Sequence, residues 1–151
     1  MRVDFYHLQK WPLERALPQL LDKVRQAGHK AVVVAGSQDR VESLSGVLWA
    51  HDPNSWLAHG TAKDGHAADQ PIWLTDQMEN PNESTILVLT DGMSASGLES
   101  YQRCLDLFDG SNPDALGSAR ERWSAARAQG HELHYWQQTD RGGWEEKAQI
   151  F

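Results

Sequence analysis

Three arginines, Arg120, Arg122 and Arg127, fall within eight residues of one another in the stretch SARERWSAARAQG. A guanidinium can fork onto the carboxylates of a partner. At about 100° per residue, Leu116, Ala119, Trp123 and Ala126 share one stripe, which predicts a helix with that stripe turned to the core. Arg120 and Arg127 then lie about 20° apart on one edge of the stripe, and Arg122 lies on the other edge. Two readings suit the Arg120 and Arg127 pair: a clamp for carboxylates, or side chains snorkelling over the apolar rim. Arg122, on its separate edge, reads as structural.

The other chemistry-bearing residues point to ordinary structural roles. Ser94 and Ser96 sit in DGMSASG after a strand-like run, where hydrolases place a nucleophile, yet the spacing is not GxSxG and the two serines read as loop and helix-cap residues. His59 and His66 flank TAKDG, and His131 and His134 border an aromatic run. None of these spacings matches a helical HExxH or a cysteine-histidine finger, so no metal is expected. Cys104 reads as a small buried hydrophobe. The first candidate strand-to-helix turn, HLQKWP, has no glycine and the second, AGSQD, has one, so neither matches a phosphate-binding loop. No cofactor is expected. A second cluster, LWAHDPNSWLAHG, sets Trp49 and Trp56 on either side of a turn at Asp52 and Pro53, followed by Leu57 and His59. Tryptophans held around a turn form the kind of patch that anchors a protein partner.

The elements that must position these residues follow from periodicity. Residues 2–8 (RVDFYHL) alternate as a strand, with Val3, Phe5 or Tyr6, and Leu8 inward. Leu13, Leu17, Leu20, Leu21 and Val24 recur at helical spacing up to Gly28, with Pro18 marking the first turn or a kink. The uniform run KAVVVA at 30–35 suits a strand covered on both faces. Val41, Leu44, Val47 and Leu48 describe a second helix, and the polar residues 51–70 a long surface connection. Strands are expected at 71–75 and 85–90. A third helix is expected through Leu98, Tyr101, Cys104 or Leu105, and Phe108. The arginine helix follows from about Asn112, then a last strand, HELHYWQQ, and a tail, RGGWEEKAQIF. This order predicts one α/β domain over 1–151, three-layered, with a largely parallel twisted sheet and helices on both faces. It resembles Rossmann-like nucleotide-binding domains in outline only.

Composition narrows the function classes. The chain has 151 residues, and its 14 Lys and Arg against 21 Asp and Glu give a formal net charge of −7, which opposes diffuse binding to nucleic acid or an anionic membrane. With one cysteine, no disulfide can form within the chain, and a reducing, cytoplasmic setting is expected. The N-terminal MRVDFYHLQKWP lacks the apolar core of a signal peptide, and no run approaches membrane-spanning length. Seven tryptophans exceed the needs of a core alone and favour contact surfaces.

In order and spacing, FYHL, RQAGHKAVVVA, LSGVLWA, WLAHG, PIWLT and above all ARERW…GHELHYWQQ…GGW resemble the chi subunit of bacterial DNA polymerase III over nearly the full length. Two departures stand out. Leu44-Ser45 replaces the family's Leu-Asp, and Ala58 replaces a proline before the loop histidine. The resemblance implies a non-catalytic clamp-loader accessory protein that pairs with the psi subunit and holds the acidic, phenylalanine-ended tail of single-stranded DNA-binding protein. It assigns the tail to Arg120 and Arg127, with Ser124 at an intervening position that can be basic elsewhere, and psi to Trp49, Trp56, Leu57 and His59. The competing readings are a small α/β hydrolase or nucleotide-utilising enzyme around Ser94, and an interaction module for another partner, such as a helicase, that reuses the Trp49 to His59 surface.

Overall fold

The computed structural model describes residues 1–51, 57–94 and 100–148. Among these, the chain forms a seven-stranded sheet and three α-helices in the order β1 (Arg2–Leu8), α1 (Leu13–Gln26), β2 (Ala31–Val34), α2 (Gln38–Ala50), β3 (Ile72–Thr75), β4 (Ile86–Leu89), β5 (Arg103–Asp109), α3 (Pro113–Ala128), β6 (Glu132–Gln138) and β7 (Trp144–Lys147). The strands lie side by side as β3-β2-β4-β5-β1-β6-β7. Every pairing is parallel except β6 with β7.

Strand alternation sorts the core into two layers. Tyr6, Leu8, Val33, Val88, Leu105 and Leu107 pack with Leu17, Leu21, Leu44 and Leu48 of α1 and α2. Val3, Phe5, Val32, Val34, Leu87, Cys104, Phe108 and Tyr135 pack on the opposite face, with Ala119, Leu116 and Trp123 of α3. The β1 candidates therefore all point inward, Val3 and Phe5 to one layer and Tyr6 and Leu8 to the other. KAVVVA is covered on both faces as expected, with all four strand residues fully buried.

The helix ends carry recognisable stops. Ser37 caps α2 by accepting the Arg40 N–H, and Asn112 caps α3 by accepting from Asp114 and Ala115, with Pro113 in the first turn. In α1, Pro18 is buried at the sixth position, inside the helix and past its first turn.

Three expectations are corrected. The helix expected through 98–108 is instead β5, a central strand between β4 and β1. Because β5 is covered on both faces, its apolar residues 104, 105, 107 and 108 also satisfy helical spacing, and periodicity could not separate the two. Leu98 lies outside the described residues. The tail contains β7, joined to β6 by a turn in which Gly142 adopts φ 80° and the Thr139 N–H donates to Gly143 O at 2.8 Å. The connection at 51–70 is only partly a surface loop. Gly60 bridges in parallel to Trp73 beyond the β3 edge, and Leu57, His59 and Thr61 are buried.

One hairpin contact titrates. His134 on β6 bonds Glu146 on β7 and, at 3.1 Å, Glu132 on its own strand. The Glu146 bond, aided by Glu132, raises its pKa above the ordinary 6.5 despite partial burial. A raised folded value means that the contribution to stability is fully present below pH 6.5 and is lost as the pH climbs through the folded value. An NMR titration should place the His134 imidazole above 6.5. His134→Gln should remove this part of the pH dependence of hairpin protection.

Candidate functional site

The α3 register resolves the arginine cluster. Ala119 and Ala126 are buried, Leu116 and Trp123 pack against the same layer, and Trp123 meets Phe5 edge-on at 5.1 Å and Tyr135 at 6.4 Å. Arg122 turns to β5. Its Nε and Nη2 donate to the two oxygens of Asp106 at 2.7 and 2.9 Å, and its Nη1 donates to Ser118 Oγ at 2.7 Å. Burial raises the Asp106 pKa above the ordinary carboxylate value even against this bidentate bond. Arg122 is thereby committed to the fold. Arg120, Ser124 and Arg127 are exposed on the other edge of α3, the side away from Asp106. A cavity of about 80 Å³ lined by Phe5, Cys104, Ala125 and Gln129 lies on the Arg122 side of the helix.

The second cluster is brought together in part. Trp49, at the end of α2, is 55% exposed, and its ring lies 4.6 Å from that of His59. His59 is buried. Its Nδ1 donates to Leu57 O at 2.8 Å, which leaves Nε2 to accept from the Ser45 hydroxyl at 3.2 Å. Ser45, noted in the sequence only as a departure, thus helps to orient the histidine that backs Trp49. Leu57 is buried, so it supports this surface from below. Trp56 lies outside the described residues.

At the carboxyl ends of the strands, where α/β folds hold nucleotides, the first turn is already occupied. The amides of Gln9, Lys10 and Trp11 all donate to Gln138 Oε1, at 3.0, 2.8 and 3.0 Å. The β4 turn is used in the same way. Asp91 accepts from the Gly36 amide and pairs with Arg40, which also reaches Glu14. Ser94 is exposed beside this turn, and Ser96 lies outside the described residues.

A group missed in the sequence lies on the opposite sheet face from α3. Asp4, fully buried, accepts from Arg103 Nε at 2.6 Å, from Arg2 at 3.0 Å and from Trp136 Nε1 at 2.8 Å. Burial pushes its pKa up, but the bonds from Arg103, Arg2 and Trp136 outweigh that and leave it below the ordinary value. The alternation of RVDFYHL offered one signal: Asp4 shares a face with Tyr6 and Leu8, so a strand buried on both sides had to bury a charge.

The description "DNA polymerase III chi subunit, HolC" belongs to a family whose model matches residues 1–134. The chain belongs to this family. A relative from Rickettsia prowazekii (strain Madrid E), described as probable DNA polymerase III subunit chi, is 30% identical over 107 residues. The match covers 71% of this chain and 65% of the relative, so the chain spans somewhat less than two thirds of that protein. The family match includes all of α3 and the Trp49 to His59 surface, and stops within β6, before the β7 hairpin.

Proposed function

We propose that this chain is a non-catalytic replication accessory subunit that joins the polymerase III clamp loader, through psi, to the acidic C-terminal tail of single-stranded DNA-binding protein. The observation that carries the reading is the division of labour on α3. Arg122 is consumed by Asp106, whereas Arg120 and Arg127 are exposed one above the other on the opposite edge. Family membership supports the same assignment. Guanidinium groups on such an edge take carboxylates by charge-assisted, salt-sensitive hydrogen bonds. Ser124 between them supplies a hydroxyl without charge. The psi-facing surface is read as Trp49, Trp56, Leu57 and His59, with the exposed indole of Trp49 on a histidine held from behind as its described anchor.

Titration with an acidic, phenylalanine-ended peptide tests the tail site. Arg120→Ala should weaken binding about tenfold, the weight of one charge-assisted bond, and the loss should shrink as salt is added. Unchanged affinity removes Arg120 from the site. Pull-down of psi with Trp49→Ala and Trp56→Ala tests the second surface, and retention of psi by both variants would refute it.

A further inference from the structure

On the α1 side of the sheet, the amino-terminal parts of β1 and β5 and the β6–β7 hairpin form a groove of about 550 Å³, walled by the last turns of α1. Three cations line it: Arg2 from β1, Arg103 from β5 and Lys23 from α1. Tyr6, Trp136 and Trp144 supply its aromatic surface. The rings of Tyr6 and Trp136 are stacked, 6.1 Å apart and 10° from parallel, and Trp144 meets Tyr6 edge-on at 4.9 Å.

The buried Asp4 sets this arrangement in place. It takes Nε and Nη2 of Arg2, takes Nε of Arg103, and holds the Trp136 indole by its N–H. Arg103 Nη2 donates to the Tyr6 hydroxyl at 2.9 Å. Each arginine is anchored by its inner edge, and among the described residues Nη1 of each has no hydrogen-bond partner. The two side chains remain 39% and 32% exposed. Lys23 is exposed and has no salt bridge among the described residues. Asp4 lies out of solvent beneath the two guanidinium groups and offsets one of their charges, and Glu132, beside Arg2 in the β1–β6 register, also acts on it.

We infer that this groove binds single-stranded nucleic acid, with Arg2, Arg103 and Lys23 on successive phosphates and bases against the Trp136 and Trp144 rings. Cations that track a backbone beside flat aromatic surfaces meet both needs of every nucleotide in an unpaired strand. An acidic peptide would use the cations but would leave the aromatic surface idle except at an occasional ring. Duplex DNA would hide its base faces. The net charge of −7 keeps the contact weak and local, which suits a protein already brought to DNA by its assembly. The inference is independent of the tail reading, because the groove and Arg120 lie on opposite faces of the sheet.

Fluorescence anisotropy with a labelled oligothymidylate and the whole chain tests it. Binding should weaken with salt with a log–log slope of about −2, as three phosphate contacts on a single strand require. Lys23→Ala, at an exposed position that leaves the fold intact, should lower affinity severalfold and make the slope shallower by about 0.7. Lys63→Ala, which removes an equal charge far from the groove, should change neither. Three results would overturn the assignment: no anisotropy change at low salt, equal losses in Lys23→Ala and Lys63→Ala, or an acidic peptide that occupies the groove in preference to the oligonucleotide.

Discussion

Arg122→Ala is expected to lower the free energy of unfolding by about 3–5 kcal/mol, because it strands a carboxylate inside the protein. Asp106 is 2% exposed, and removing the guanidinium takes away the two charge-assisted bonds that offset the burial of its carboxylate. For a chain of this size the loss should appear as a fall in melting temperature of roughly 6–20 °C. The variant also has a pH signature. Burial already raises the Asp106 pKa with Arg122 present, and without it the folded state holds the proton more tightly still. A folded value above the unfolded one makes stability fall as the pH rises through it, so the deficit should narrow as the pH is lowered into the carboxylate range. Urea unfolding at neutral and acid pH checks both points. Replacing the pair together, Arg122→Met with Asp106→Leu, should recover most of the loss, since well-packed apolar residues can stand in for a buried ion pair. A single variant as stable as the parent would mean that the pair is not what fixes the rotation of α3.

The second large effect is expected at Trp123. Trp123→Ala should cost about 3 kcal/mol, near the lower end for a large aromatic because Trp123 is only partly buried. The loss combines apolar burial with two edge-on contacts, to Phe5 and Tyr135, each worth about 0.5–1.5 kcal/mol beyond its area. Trp123→Phe keeps a ring over Phe5 and should cost under about 1.5 kcal/mol. Trp123 lies between Arg120 and Arg127 along α3, so the alanine variant should also lose affinity for the tail peptide, and the phenylalanine variant should keep most of it. Urea midpoints and peptide titrations on the same two variants separate stability from recognition. Full tail affinity in a destabilised Trp123→Ala would show that the indole has no part in the site.

Both predictions depend on one helix whose properties could be read in advance. The spacing of Leu116, Ala119, Trp123 and Ala126 was enough to phase α3 and to separate Arg122 from Arg120 and Arg127, because a helix converts sequence interval into angle without help from the rest of the chain. The same local logic gave β1, β2 and the first two helices. It failed for β5, where Cys104, Leu105, Leu107 and Phe108 fit either period because the strand is covered on both faces, and the Asp106 buried among them finds its partner in Arg122 of α3. The β7 strand was missed for a different reason. Trp-Glu-Glu-Lys has little apolar alternation, and it is held by pairing with β6 and by the turn at Gly142 rather than by its own propensity.

What the sequence by itself determined is the layered α/β plan, the exposed cation edge of α3 and the motif order that marks the family. These rest on intervals of a few residues, where backbone geometry alone relates position to direction. Only the tertiary structure decided that Asp4 gathers Arg103 from 99 positions away and Trp136 from 132, or that Ser45 orients His59 behind Trp49. Such groups meet because parallel pairing sets distant strands side by side in one register, and no interval in the chain encodes that neighbourhood.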